Sequence, residues 1–448
     1  MIEVASSVPT LTQFDPYRVP YQIKVISLIR QEYNYQLGPL EILLSGSVGS
    51  AKSLLIAHII ATHAIFFPGA GVLVGRRVHR DMKNTIWAMM LKHYPEFKQY
   101  WNRSDTTIRM PNGSVIYGVS WDKGDYDKFR SYELSLAVIE ELTENETIDM
   151  IHEIKMRLGR AQGVRENLLI CATNPDSPNH PAHEYFIDKA SESRRVFYST
   201  TEDNPFLPKW YIESLKKTLD PKMAQRMLYG KWVEISKESV YYAYEQARNF
   251  RESYQISPAH PIHIAHDFNV GHQKPMSTAL GQRINGIWHW FKAYHVEGAR
   301  TLNIMEEMAN DGVFEHRTKF IINGDATGRS RDTRSIKTDY DIIEEFLANY
   351  KTKDGRRLDY EIDVPRSNPP VRTRHNMINA GFINASGRVT MYVYDKWIDK
   401  GFRLTAFQKG SIHLEDDSLP EQHVTTAIGY AVYRASLDDD NESSSTIL

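Results

Sequence analysis

The sequence predicts an α/β protein made of two successive sheet-and-helix domains, and three observations carry that prediction. In the first half, short apolar strands alternate with helical segments, the pattern of a mostly parallel sheet. A Gly-rich turn joins the first of these strands to an apolar helix, the layout that opens phosphate-binding α/β domains. A second run of strands and helices starts near residue 258, and 448 residues are enough for two full cores.

The first strand covers 41–45 and runs into Gly46-Ser47-Val48-Gly49-Ser50-Ala51-Lys52-Ser53, followed by a helix over 53–67. Glycines let backbone N–H groups curl around phosphate oxygens, and the helix N-terminus adds partial positive charge. Lys52 is then placed to reach the β- and γ-phosphates of ATP, and the Ser53 hydroxyl to sit on Mg²⁺. The usual pattern has Gly directly before the Lys, and here that position is Ala51. Further strands are expected at 71–75, 114–119, 134–139 and 168–173, with helices at 80–93, 148–158 and 208–218. Pro205, Pro208 and Pro221 interrupt the helical region that closes this domain, 1–235.

Residues 236–257, rich in Tyr, Glu and Arg without clean periodicity, read as a linker. The second domain, 258–436, has expected strands at 262–267, 278–283, 287–295 and 320–323, and helices at 301–310, 340–351 and 420–435. The acidic, Ser-rich stretch 437–448 has the composition of a disordered tail.

A P-loop needs an acidic strand end and a group that orients water. Leu136-Ala-Val-Ile139 runs directly into Glu140 and Glu141. Glu140 can hold metal-bound water beside Ser53, and Glu141 can polarise the attacking water. The next strand ends in Thr173-Asn174-Pro175, polar groups able to sense a γ-phosphate and register its loss. Upstream, Gln22 in a Tyr- and Pro-rich segment can pair with an adenine edge.

In the second domain Asp267 and Asp325 each end a strand. Two such carboxylates can share divalent metals that activate water and stabilise the leaving oxygen of a phosphodiester, and oxygen ligands suit Mg²⁺ or Mn²⁺. Arg329 and Arg331 are close enough in sequence to hold DNA phosphates.

Composition narrows the class. A net charge of −2 and a sequence pI near 6.8 do not describe a wholesale nucleic-acid coat. DNA contacts must therefore come from local basic patches such as 76–80, 329–337 and 366–374. The single cysteine, Cys171, excludes an intramolecular disulfide and a Cys-based zinc site, and fits a reducing compartment. The N-terminus lacks a signal-peptide pattern, and the longest apolar run, 54–67, is too short for a bilayer and carries His58 and His63, so no membrane association is expected.

In order, the motifs are aromatic–Pro–Gln22, the P-loop, an Arg before an acidic strand, Glu140-Glu141, Thr173-Asn174-Pro175 and Thr201-Glu-Asp-Asn204-Pro-Phe-Leu207-Pro. This order resembles the large terminase subunit of tailed bacteriophages over nearly the whole chain. The resemblance implies a P-loop ATPase followed by an RNase H-like nuclease. It implies a motor that drives double-stranded DNA into a procapsid and cuts concatemeric DNA. It also implies a homo-oligomeric ring, a pentamer in the family, with the portal protein and the small terminase subunit as partners, acting in the host cytoplasm and docking transiently on the procapsid. Arg130 falls where the family carries an arginine that reaches the neighbouring subunit's nucleotide. His-Asp267-Phe and Gly-Asp325-Ala-Thr-Gly-Arg look like the first two acidic motifs of the nuclease. The third motif usually reads His, two residues, Asp, Ala, and here it reads His423-Val-Thr-Thr426-Ala427. Thr cannot replace a carboxylate ligand, so Asp416, Asp417 or Glu421 is left to fill the role, and Asp417 is the choice among them. The family often has an Arg inside the P-loop, where this chain has Val48, which moves charge stabilisation to Arg130, Arg76 or Arg77. Two other readings are a helicase- or repair-type ATPase fused to a nuclease, and a scaffold with degraded motifs. The first usually needs a second motor core, and no second P-loop follows residue 236.

Overall fold

The structure is a computed structural model. It describes residues 19–121, 125–235, 239–269, 276–296, 298, 300–330, 337–408, 414–416 and 418–445, with side chains to 438. The chain forms two compact units, Met1–Glu213 with Lys222–Glu234, and Ser214–Pro221 with Ile235–Leu448. The segment Ser214–Pro221, expected in the first domain, thus groups with the second unit.

The first unit is built on an eight-stranded sheet. Its strands are β1 (Leu40–Gly46), β2 (Gly71–Arg76), β3 (Trp101–Asn102), β4 (Thr107–Arg109), β5 (Val115–Ser120), β6 (Leu136–Ile139), β7 (Leu168–Thr173) and β8 (Arg194–Ser199). The order is β3-β4-β5-β2-β6-β7-β1-β8, parallel from β5 through β8 and antiparallel at β3–β4–β5. β1, β6 and β7 are buried along their whole length, so they read as continuous apolar runs. The edge strand β8 carries Arg194 and Arg195 and lacks such a run, which hides it from a sequence reading. Because β6, β7 and β1 are parallel neighbours, their carboxyl ends bring Glu140-Glu141, Thr173-Asn174 and the P-loop to one rim. Ligands bind at that rim in open α/β sheets.

The second unit is a six-stranded sheet of β9 (Ile262–Asp267), β10 (Met276–Ile284), β11 (Ile287–Val296), β12 (Phe320–Gly324), β13 (Tyr360–Ile362) and β14 (Met391–Val393). The order is β13-β12-β9-β10-β11-β14. β9–β10–β11 is an antiparallel meander, and β12 and β13 add in parallel beside β9. This is the RNase H-like arrangement. Its last helix, Gln422–Ser445, packs on β9, β10 and β12. That helix extends past residue 437, where composition led to an expectation of disorder.

The expected linker 236–257 also differs. Val240 and Tyr241 are buried in the second unit's core with Phe402, Ile428 and Trp290, and Asn249 donates to the Phe382 carbonyl at 2.9 Å. Its aromatic residues are anchors for that core. No helix among the described residues is long and apolar enough to cross a membrane.

Candidate nucleotide and metal sites

The P-loop leaves β1 and enters the helix Lys52–Phe66. The Ser47 and Val48 N–H groups donate to the carbonyls of Ser199 and Met227, both at 2.9 Å. Asn204 Nδ2 donates to the Gly49 carbonyl at 2.7 Å, and Thr201 Oγ1 donates to the Val48 carbonyl at 2.8 Å. The Thr201–Asn204 segment therefore braces the loop, a role the sequence pattern names no residue for. The first N–H groups of the helix have no intrahelical acceptor and form the natural anion cradle.

Two loop residues take left-handed backbone, Gly49 (φ +75°) and Ala51 (φ 65°, ψ 27°). Glycine adopts this region freely, whereas alanine is disfavoured there by about 1–2 kcal/mol. Ala51→Gly is accordingly expected to stabilise the chain by about 1 kcal/mol, after the added unfolded-state entropy is subtracted. Thermal unfolding checks this, and the expected rise in midpoint is about 2–4 °C.

Lys52 is 8 % exposed. Its Nζ donates to the carbonyls of Gly46 (2.7 Å) and Ser47 (2.8 Å) and to Asn174 Oδ1 (3.0 Å). Burial pulls its pKa down to about 8, against the opposing pull of Glu141 and Glu140. Ser53 Oγ donates to Glu140 Oε1 at 3.0 Å. The other Glu140 oxygen accepts from Thr85 Oγ1 at 2.5 Å and lies 3.7 Å from Arg76. Glu141 sits in left-handed backbone (φ 50°) at the end of β6. Burial raises its pKa, and the Lys52 charge pulls the other way. A cleft of about 490 Å³ is lined by Ser53, Arg76, Thr85, Lys92, Glu140 and Glu141.

The other predicted groups fall around this site in different ways. Thr173 Oγ1 lies 2.6 Å from Thr143 Oγ1, so it touches the loop that follows Glu141. Gln22 is fully buried and donates to the Ala51 carbonyl at 3.0 Å, and Tyr21 donates to the Ser50 carbonyl at 2.7 Å. These two side chains thus support the P-loop from behind. Arg130 is exposed and pairs with Asp127 at 2.9 Å. Arg76 is half-buried against Glu144 (Nε to Oε2, 3.0 Å) and does not belong to an open basic patch.

In the second unit Asp267 and Asp325 end the adjacent parallel strands β9 and β12, one step beyond the pair His266 and Gly324. Asp267 Oδ2 meets His423 Nδ1 at 2.9 Å and accepts from Asn269 Nδ2 at 2.7 Å. Asp325 Oδ1 accepts from the Thr327 N–H and from Asn368 Nδ2, both at 2.7 Å. The second oxygen of each carboxylate takes no hydrogen bond among the described residues. His423 is 4 % exposed, and its Nε2 has no partner among the described residues. His423 Nδ1 also lies 3.0 Å from Asn269 Nδ2, so this ring nitrogen faces both a carboxylate and an amide.

Thr426 does not face an empty position. Its Oγ1 donates to Glu415 Oε2 at 3.0 Å and accepts from Gln422 at 2.8 Å. Glu415 Oε1 accepts from Arg374 at 3.1 Å and contacts His375, and Gln422 also donates to Glu415. Burial pushes the Glu415 carboxyl up, but the Arg374 charge outweighs it with help from His375, and its pKa sits at about 2. Arg374 is itself 4 % exposed, although the sequence placed it in a candidate DNA-contacting patch. Its stem lies in a notch at Gly429, where an added Cβ would come within 2.3 Å of Arg374 Cγ and Cδ.

Of the candidate third ligands, Asp417 lies outside the described residues, as does the DNA-contact candidate Arg331. Asp416 is turned to its own loop, accepting from the Ser418 N–H at 3.0 Å, and Glu421 is paired with Lys400. Among the described residues no group of three or more His, Cys, Asp or Glu side chains is gathered to hold a metal.

Residues 40–231 match the family model described as phage terminase large subunit. The matched residues make up most of the first unit, and over them the chain is similar to phage large terminases. The large terminase of a thermophilic bacteriophage has a similar fold, with a TM-score of 0.59 at 16 % identity over 92 % of this chain and 98 % of that one. Structures of that terminase in complex with ADP and with ATP-γ-S match over the same shares, with TM-scores of 0.58 and 0.57 at 16 % and 14 % identity. No curated protein sequence matches the chain.

Sequence reasoning gave no role to Thr85, Asn204 and Glu415, and it read Arg374 as a DNA-contact candidate, whereas the structure buries it against Glu415. Thr85 and Glu415 are single polar residues in segments without a motif. Asn204 lay inside a recognised motif but had no chemistry assigned to it. His423 had a readable signal, its place three residues before the missing carboxylate.

Proposed function

We propose that this chain is a phage large terminase, a viral DNA-packaging motor that hydrolyses ATP to move double-stranded DNA into the procapsid and cuts concatemeric DNA with its second unit. The observation that carries the motor half is the meeting of Lys52, Ser53, Glu140, Glu141 and Asn174 at one rim of the first sheet. ATP entering the cradle draws the Lys52 ammonium from the Gly46 and Ser47 carbonyls to the phosphates. Glu141 orients the attacking water. Asn174, hydrogen-bonded to Lys52, reports the loss of the γ-phosphate to β7 and Thr173. Ser53 and Glu140 are the residues that would hold Mg²⁺, which neutralises the phosphate charge when bound. Arg130, exposed on a short helical turn, completes a neighbouring subunit's site in the ring. Asp267 and Asp325 serve the cutting reaction with Mg²⁺ or Mn²⁺.

The portal protein and the small terminase subunit are the proposed partners, in the host cytoplasm and on the procapsid. The test is DNA packaging by the full chain with portal-bearing procapsids. Nuclease-protected DNA should accumulate with ATP and not with a non-hydrolysable analogue. ATP turnover without protected DNA would overturn the packaging reading in favour of a helicase- or repair-type ATPase.

The depressed Lys52 pKa adds a pH prediction. The site's charge is present below about pH 8 and is lost above it. ATP affinity should therefore fall by up to tenfold per pH unit above that point, as read by fluorescent-nucleotide titration between about pH 7 and 9.5. Affinity that is flat across this range would contradict the assignment.

A further inference from the structure

We propose that the turns following β2 and β5 form a contact surface for the phosphates of duplex DNA, with Arg80, Lys83 and Lys128 as its cations, and that Thr85 ties this surface to Glu140. The inference rests on the motor reading above and deepens it by naming where the first unit meets DNA.

The sheet brings the two turns together. β2 and β5 are parallel neighbours whose last residues, Arg76 and Ser120, are paired, so both stretches of chain leave the sheet at one point of the rim. Apolar anchors then fix each turn. After β2, Met82, Ile86 and Trp87 are buried, and Met82 Cε lies 3.0 Å from where a Cβ on Gly118 of β5 would stand. After β5, Trp121 lies across Gly75 of β2, where a Cβ would come within 2.3 Å of its ring, and Phe129 packs edge-on against Trp121. With these side chains turned inward, the charged ends of Arg80, Lys83 and Lys128 are left on the outside.

His79 stands among these cations, its Nε2 3.3 Å from Thr106 Oγ1. Partial burial, and then the charges of Lys83 and Lys128, hold its pKa below the usual histidine value, so both ammonium groups act on one ring. None of Arg80, Lys83 and Lys128 has an acidic partner among the described residues, whereas Asp127 is taken by Arg130 at 2.9 Å and Glu144 by Arg76. Cations gathered without counter-charges attract a polyanion. Trp87, Trp121 and Phe129 are buried and Tyr126 is laid on Phe129, so among the described residues these turns offer no open ring for an unpaired base. The pattern suits the phosphate backbone of a duplex. One turn joins this surface to the nucleotide site. Lys83 opens a wide helical turn, Lys83–Trp87, in which the Ala88 N–H reaches back to the Lys83 carbonyl, and such turns concentrate at functional sites. In the same turn Thr85 Oγ1 lies 2.5 Å from Glu140 Oε2. A phosphate drawn to Lys83 therefore acts on the turn that holds Glu140.

The experiment titrates the full chain with fluorescent duplex DNA of mixed sequence, in EDTA so that nothing is cut, and repeats the titration across salt concentrations. Lys83→Gln/Lys128→Gln should lose about 10²-fold in affinity at about 0.1 M salt and lower the salt slope by about 2, and adding Arg80→Gln should cost about tenfold more. Arg160→Gln/Arg165→Gln, which removes the same charge from the segment leading into β7, should bind like wild type. Equal losses in the two double variants, or no loss in the first, would overturn the surface. Single-stranded DNA that binds the wild type more tightly than the duplex would overturn the duplex assignment. Basal ATP turnover, measured with Mg²⁺, should be unchanged in both double variants, since none of these residues lines the nucleotide cleft. Saturating duplex DNA should raise turnover in the wild type, and at the same DNA concentration the rise should vanish in Lys83→Gln/Lys128→Gln. Thr85→Val should bind DNA as the wild type does and lose the rise, and Thr85→Ser should keep it. A wild type whose turnover ignores DNA, or a Thr85→Val chain with the wild-type ratio of stimulated to basal turnover, would overturn the link to Glu140. If the wild type neither binds duplex DNA nor packages it, the motor reading itself fails. Packaging and DNA affinity that survive Lys83→Gln/Lys128→Gln remove only the present inference.

Discussion

Replacing Lys52 by alanine is expected to lower ATP turnover by about 10²–10³-fold, the usual loss when one preorganised charge facing a transferring phosphoryl group is removed. Nucleotide affinity should fall with it, because Lys52 meets the phosphates in the ground state as well as in the transition state. A structural cost accompanies the loss. The Gly46 and Ser47 carbonyls and Asn174 all accept from this ammonium, and a buried acceptor left unpaired costs about 1–3 kcal/mol. Two further measurements separate the effects. The thermal midpoint should drop modestly, and Mn²⁺-dependent DNA cleavage should persist. A Lys52→Ala chain that still hydrolyses ATP at the wild-type rate would remove the P-loop from the mechanism.

Glu141→Gln should separate binding from chemistry. The amide fills the same volume and cannot take a proton, so turnover is expected to fall by about 10²–10⁴-fold, the range for loss of a general base. Nucleotide affinity should hold or rise, since a carboxylate near the phosphates is removed. The backbone supports this choice of residue. Glu141 stands in left-handed backbone at the end of β6, a sparsely populated conformation that persists where surrounding structure imposes it. Equal losses in affinity and in kcat would instead mark Glu141 as a binding residue, and Glu144 would become the candidate to test.

The large features of this fold were legible because each rests on local sequence. Buried parallel strands leave continuous apolar runs, and a run that ends in carboxylates, in Thr-Asn or in a Gly-rich turn marks a strand end. Hence β1, β6, β7, β9 and β12 and the polar residues that follow them could be read directly. What escaped depends on contacts between distant segments. Glu140 is held by Thr85 and Arg76, 55 and 64 positions away, and nothing in the spacing announces it. Glu415 reaches Thr426 from a loop outside any motif. The stretch around Val240 and Tyr241 lacked a period and read as a linker, yet its aromatic residues serve as core anchors. Basic clusters were the least reliable signal. Arg76 and Arg374 looked like surface charge, and both are committed to carboxylates inside the fold.

The notch at Gly429 ties four positions into one unit of inheritance. A side chain at 429 would displace the Arg374 stem. Without Arg374, Glu415 would be left as a buried charge lacking its main partner, at a cost of about 3–5 kcal/mol. A carboxylate at 426 would stand against the Glu415 oxygen to which the Thr426 hydroxyl now donates at 3.0 Å, so it fits only where Glu415 is exchanged as well. Related sequences should therefore fall into two groups, with Gly429, Arg374, Glu415 and Thr426 present together or exchanged together. Intermediates that change one position alone should be rare, because each must first pass through a less stable protein.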